Sequence, residues 1–141
     1  MFYIDTSVIV AYYYPEPLSE KAEAFLMTHM RPAISSLTEV EMFSALSRKV
    51  REGGLSRKNA ATIVAKFLGH VDGHFYSHLF AKPHHYRLAR DWIGLFNSNL
   101  KTLDALHLAI AHMEGLTFVT ADHGLAESVR FLALDVAVLK K

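Results

Sequence analysis

The sequence predicts an α/β protein, a three-layer α/β/α sandwich around a mainly parallel central sheet. Short apolar runs with strand character alternate with longer segments of helical periodicity, the order that builds a parallel sheet with helices on both faces. Acids recur at the ends of the predicted strands, the edge outside which ligands gather in such sheets. No linker, repeat or low-complexity tract interrupts the alternation. With 141 residues, 51% of them hydrophobic, the chain suffices for one core and is too short for two, so a single domain over 1–141 is expected.

The elements follow in order. A strand is expected at about 2–5, where Phe2, Tyr3 and Ile4 are apolar, then helices at about 7–14 and 17–29 and a short strand near 33–35. A helix at about 37–52 follows "ISS", with Ser36 and Glu39 at the spacing of a capping box and Met42, Phe43, Leu46 and Val50 as its core arc. "EGGLS" stops that helix, and another runs from about 56 to 70. Gly69, Gly73 and the pair Phe75–Tyr76 then indicate a loop leading into a strand near 75–79. Helices are expected at about 83–97 and 103–114, the latter capped by Thr102 and buried along Leu103, Leu106, Ile110 and Met113. A strand at 117–120, a helix at about 123–131 and a strand near 134–139 complete the chain.

Composition limits the chemistry. No apolar run is long enough to span a membrane and no signal peptide is visible at the N-terminus, so a cytoplasmic protein is expected. The absence of cysteine, which agrees with that compartment, removes disulfides and thiolate metal sites and leaves carboxylates and histidines as the strong ligands. A net charge of +1 favours no class of partner.

Asp5 ends the first strand and Asp122 follows the strand of "LTFVT", so both acids belong to one edge of the sheet. Asp104 falls in the first turn of its helix, off the apolar stripe. Taken singly, each of these reads first as a helix cap or a first-turn acid, stabilised by roughly 0.3–1 kcal/mol through the helix dipole. In "ISSLTEVEMFSAL" the capping box occupies Glu39, whereas Glu41 faces away from the core arc, with Ser44, Ala45 and Arg48. Its ordinary reading is a solvated position paired with Arg48 or Lys49.

Four segments, "FYIDTSVIVAYY", "ISSLTEVEMFSAL", "LKTLDALHLAIA" and "FVTADHGLAES", occur in the order and at about the spacing of the acidic motifs of PIN-domain ribonucleases. The chain resembles above all the VapC-like toxins of that family. The resemblance implies a PIN-like fold and a metal-dependent endoribonuclease, the toxin of a type II toxin–antitoxin pair. Its acidic site would be Asp5, Glu41, Asp104 and Asp122, with Ser7 and Thr120 as hydroxyls supporting the carboxylates. Mg²⁺, with Mn²⁺ as substitute, would bind Asp5, Asp104 and Asp122, and Glu41 would bind it directly or through water, or orient the attacking water. Clustered carboxylates repel one another, and a divalent cation relieves that repulsion. The implied partners are RNA, a small antitoxin and a second copy of the chain in a homodimer, with no membrane.

For RNA, the basic candidates are Arg48 and Lys49, beside Arg51, Arg57 and Lys58 around the "EGGLS" turn, and Lys101, where many relatives carry Arg. Tyr12, Tyr13 and Tyr14 offer rings for base stacking, although most of that run is expected to pack inside. Among nine histidines, His70, His74 and His78 are spaced by four, a zinc pattern on a helix; on a loop and strand, as expected here, they stand too far apart. His107 is expected as a partly buried structural histidine, with contact to a site carboxylate as its alternative reading, and His123 as an exposed one that can approach substrate. The alternative functional class is a non-catalytic RNA-binding or protein-interaction module that keeps the fold. An aspartyl phosphotransfer fold with Asp5 as nucleophile lacks the usual second Asp two residues later, where Ser7 stands.

Overall fold

A computed structural model describes residues 1–140. The elements run β1 (Phe2–Ile4), α1 (Thr6–Tyr13), α2 (Ser19–Thr28), β2 (Ala33–Ser35), α3 (Ser36–Arg51), α4 (Arg57–Asp72), β3 (Ser77–Leu79), α5 (Pro83–Ile93), α6 (Thr102–Met113), β4 (Thr117–Thr120), α7 (His123–Phe131) and β5 (Val136–Val138). All five strands are parallel, in the order β3-β2-β1-β4-β5. The chain therefore leaves β1 in one direction to build β2 and β3, then crosses back to lay β4 on its other side. The seam between β1 and β4 is the topological switch point, and the crevice outside the carboxyl ends of these strands is where such sheets bind ligands.

Strand alternation produces the three layers. Ile4, Ile34 and Val119 point to one face and pack with Val8, Ile9, Leu26, Met42, Leu46 and Phe67 of α1 to α4. Tyr3, Ala33 and Phe118 point to the other and pack with Leu106, Leu108, Ile110, Leu125 and Val129 of α6 and α7. Successive residues alternate between faces because the side-chain period of a strand is two. Each large apolar side chain so buried contributes roughly 1.5–3 kcal/mol.

Four local expectations need correction. The helix after β2 is capped by Ser35, not Ser36: Ser35 Oγ accepts from Leu37 N (3.2 Å), and Thr38 Oγ1 accepts from Ser35 N (3.1 Å). The strand keeps Ser35 extended (φ −132°, ψ 176°), as an N-cap must be, so the box moves back one residue and uses Thr38 in place of Glu39. Glu39 is free to meet His78 of β3 at 2.6 Å. Likewise the N-cap position of α6 is Lys101, whose backbone is already extended, and Thr102 is the first helical residue. The stripe expected on α6 is also too narrow: Ala105 to Ala111 are buried without a break, because α5 covers the helix on one side and the sheet on the other. Leu103 and Met113, at the ends, are 44% and 46% exposed. On α3, Met42 and Leu46 are buried while Phe43 is 41% exposed.

Candidate active site

Asp5 separates β1 from α1 with no intervening loop. Its backbone N–H bonds to Val119 O across the seam (2.8 Å) and its carbonyl accepts from Val8 N (3.0 Å), so the main chain makes the strand-to-helix turn. The side chain caps nothing. It is 6% exposed, and its Oδ2 accepts from Ser7 Oγ (2.7 Å) and Thr120 Oγ1 (2.8 Å). No hydrogen bond among the described residues falls on Oδ1. Thr120, the fully buried last residue of β4, also accepts from Asp122 N (3.0 Å). Ser7 Oγ accepts from Ala121 N (3.2 Å). The two hydroxyls thus stitch the ends of β1 and β4 together around one carboxylate oxygen.

Glu41, on α3, is not paired with Arg48 or Lys49. Thr6 Oγ1 donates to its Oε1 (2.8 Å), and His107 Nε2 approaches the same oxygen in a short hydrogen bond. Burial pushes the Glu41 carboxyl up, but the hydrogen bond and charge of His107 and the Thr6 hydroxyl outweigh it and hold the carboxyl below its ordinary value. His107 is fully buried, and its Nδ1 lies 2.6 Å from the Tyr3 hydroxyl, which donates to Ser35 Oγ (2.7 Å).

Asp104 is the third residue of α6, where the helix dipole favours a negative charge. The surroundings oppose it more strongly. Burial, then the charges of Asp5 and Glu41, raise its carboxyl to about 6 against a partial offset from His107, with Asp122 adding to the rise. Asp122 is exposed and does cap its helix, Oδ1 accepting from Leu125 N (3.1 Å). Among the described residues, no three of these four acids bring ligand oxygens within 4.8 Å of one another.

An open groove of about 830 Å³ runs beside them, lined by Thr6, Ser7, Glu41, Arg48, Lys49, Leu103 and His123 and floored by Val10, Ala45 and Ala121. Asp5, Asp104 and Asp122 lie outside its lining, although a sequence neighbour of each belongs to it. Arg48 is exposed on the wall, and Lys49 sits 4.1 Å above the Tyr14 ring. Lys101 is exposed away from the groove. Of the tyrosines, Tyr13 is core, bonded to Tyr76 (2.8 Å) and His70 (2.6 Å), and Tyr12 stacks on Phe75.

The histidine triplet holds no common ligand. His70 ends on Tyr13 from α4, His74 occupies the following turn at φ 60°, and His78 bonds Glu39 from β3. A different cluster, His84, His85 and Glu114, escaped the sequence reading and brings three ligand atoms within 4.8 Å. Its chemistry argues against a metal. His85 Nδ1 accepts from Lys82 N at the start of α5 (2.9 Å), so the ring proton sits on Nε2, which faces Glu114 Oε1 at 3.4 Å. A protonated nitrogen has no lone pair for an ion. Sequence reasoning also missed Thr6 and Tyr3: Thr6 is hidden within the "DTS" run, and Tyr3 has the pattern of an ordinary core aromatic.

Comparison with known proteins places this architecture. The PIN domain family model matches residues 2–130. No curated protein matches the sequence. The chain is similar in fold to FitAB bound to an IR36 DNA fragment, at 19% identity with 98% of this chain and 94% of the other covered and a TM-score of 0.76. It is similar to VapBC2 from Rickettsia felis bound to a fragment of its promoter (16%, 99% and 100%, TM-score 0.72). VapC20 from Mycobacterium tuberculosis, a toxin that cleaves the sarcin–ricin loop, is a further relative in fold (16%, 91% and 95%, TM-score 0.70).

Proposed function

The chain belongs to the PIN-domain family, and from that premise we propose that it is a metal-dependent endoribonuclease, the toxin of a type II toxin–antitoxin pair acting in the cytoplasm. One observation carries the reading. Asp5 and Glu41 each have one carboxylate oxygen engaged by two donors and the other left open, and burial, then their charges and that of Asp122, raise the proton affinity of Asp104. Such a set of hard oxygen donors fits Mg²⁺ or Mn²⁺.

Asp5 through Oδ1, Asp104, Asp122 and Glu41 through Oε2 would hold the ion. When bound, it supplies an activated water and neutralises charge on the phosphoryl oxygens. Ser7 and Thr120 keep Asp5 oriented, and Thr6 does the same for Glu41. Arg48 and Lys49 on the groove wall hold RNA phosphates, with Lys101 as a further contact outside it. The groove's apolar lining, with exposed Val40 and Leu103 in it, suits a protein segment, the antitoxin; likeness in fold to a toxin–antitoxin complex from Klebsiella pneumoniae supports that partner. Homodimerisation belongs to the same reading.

The test is RNA cleavage in Mg²⁺ or Mn²⁺ with Asp104→Asn, which preserves size and removes the charge a metal requires. RNA binding is expected to survive and cleavage to collapse. Cleavage by Asp104→Asn at the parent rate would leave a binding module as the better account.

A further inference from the structure

Glu41 is held by residues that lie far apart in the sequence. Thr6 arrives from α1, His107 from α6, and behind His107 stand Tyr3 of β1 and Ser35 at the cap of α3. The polar chain begins at Ser35, the last residue of β2 and the N-cap of α3, and returns to α3 at Glu41, closing a ring through the sheet. A carboxylate oxygen only accepts, so the proton of the His107–Glu41 contact lies on Nε2. Burial pushes the Tyr3 hydroxyl well above its ordinary range, which keeps it a neutral O–H group within the ring.

Both donors to Glu41 land on the same atom. Thr6 Oγ1 and His107 Nε2 each meet Oε1, and none of the described residues donates to Oε2. Resting on the nuclease reading above, we infer that His107 and Thr6 are positioning residues that make Glu41 one-sided: Oε1 is withheld and Oε2 alone is offered to the metal or its water. A Glu side chain has three torsions and two equivalent oxygens. Fixing one oxygen from two directions removes both ambiguities, the preorganisation that partners of metal ligands supply. Asp5 follows the same rule, with Ser7 and Thr120 on Oδ2. Only at Glu41 is one of the two donors a buried ring.

The geometry of histidine gives the test. Gln at 107 can place an N–H near the position of Nε2, and Asn near that of Nδ1. His107→Gln should therefore keep Mn²⁺ affinity and kcat close to the parent. His107→Asn should lose about 10- to 100-fold in one or both, the usual effect of removing a partner of a ligand, with KM for RNA unchanged. Both are measured below the melting point of each variant, Mn²⁺ binding by calorimetry and cleavage by gel. In a Glu41→Gln background, His107→Asn should add nothing. If the Asn variant does not fold, Thr6→Val against Thr6→Ser puts the same question to the other donor. The ring ¹⁵N spectrum of the parent should show Nε2 protonated.

Gln and Asn variants that behave alike in a parent that binds Mn²⁺ and cleaves RNA overturn the inference alone, as does an unprotonated Nε2. A parent that neither binds Mn²⁺ nor cleaves overturns the nuclease reading and this inference with it.

Discussion

Two junctions of the sheet, β1 into α1 and β4 into α7, place an aspartate at the same structural position and use it differently. Asp5 is buried, its main chain makes the turn, and its carboxylate is held by two hydroxyls instead of the helix. Asp122 is exposed and its carboxylate caps α7 at Leu125 N. The difference arises from the length of chain between each strand and its helix. After β1 the chain enters the helix at once, whereas Ala121 separates Thr120 from Asp122 and sets the latter acid one residue further out. A strand-end aspartate is thus a location, and its neighbours determine whether it serves the helix or a ligand.

The largest expected contrast is in metal binding and cleavage. Asp5→Asn should reduce cleavage by more than the roughly 10- to 100-fold typical of a residue that only supports a ligand. It should also blunt the stabilisation by Mg²⁺, about 2.7 kcal/mol for an ion at a hundred times its Kd. Asp122→Asn keeps the cap, since Asn caps about as well as Asp, and should weaken the metal response less. Equal losses from both, read from melting curves with and without Mg²⁺, would erase the distinction between the junctions.

Stability separates them in the opposite sense. Asp122→Ala removes a cap and should cost about 1 kcal/mol in urea unfolding. Thr120→Val removes the donor to Asp5 and the acceptor for Asp122 N, and should cost about 1–3 kcal/mol, because buried polar groups are left unmatched. A Thr120→Val protein as stable as the parent would show that the seam is held by apolar packing alone.

The smallest effect is pH dependence. Asp104 titrates near 6 in the folded protein against an ordinary 3.8. The folded state therefore binds more protons across that window, and this group's stabilising contribution, complete below about pH 4, is lost as pH rises through 6. In metal-free protein, unfolding measured at pH 4.5 and 6.5 should show a more negative difference for the parent than for Asp104→Asn. Identical differences would mean that neither burial nor the charges of Asp5 and Glu41 raise Asp104.

Much of the fold was legible because it depends on local periodicity. Phe2 to Ile4 and Leu116 to Val119 read as buried strands, and β1, β4 and the helices after them lie where expected. The all-round burial of α6 did not show, since a stripe argument assumes one covered face, and Ala105 and Ala109 are too small to signal another. The positions of the four acids were readable from strand ends and helix faces, and the Ser7 and Thr120 hydroxyls on Asp5 from the family resemblance; the surroundings of Glu41 were not, and His107 entered only as an alternative contact. The partner of Glu41 is His107, 66 residues away, and that of His107 is Tyr3, 104 residues away. No spacing rule reaches so far, and a nearby base such as Arg48 is the natural but mistaken choice. The capping box slipped by one residue because a strand that runs straight into a helix supplies its own extended cap.

The strand order bears on how the chain can be divided. Strands β3, β2 and β1 are contiguous in the sheet and come from the first part of the sequence; β4 and β5 are contiguous and come from the last. Between them, Phe96 stands 90% exposed in the segment after α5. A cut there yields one fragment with Asp5 and Glu41 and another with Asp104 and Asp122. Neither fragment holds more than two of the acids, and the border between the fragments takes in both the β1–β4 seam and the packing of α5 on α6. A nicked chain would therefore bring the four acids together only when its two halves reassociate, through the sheet seam and the α5–α6 contact alike.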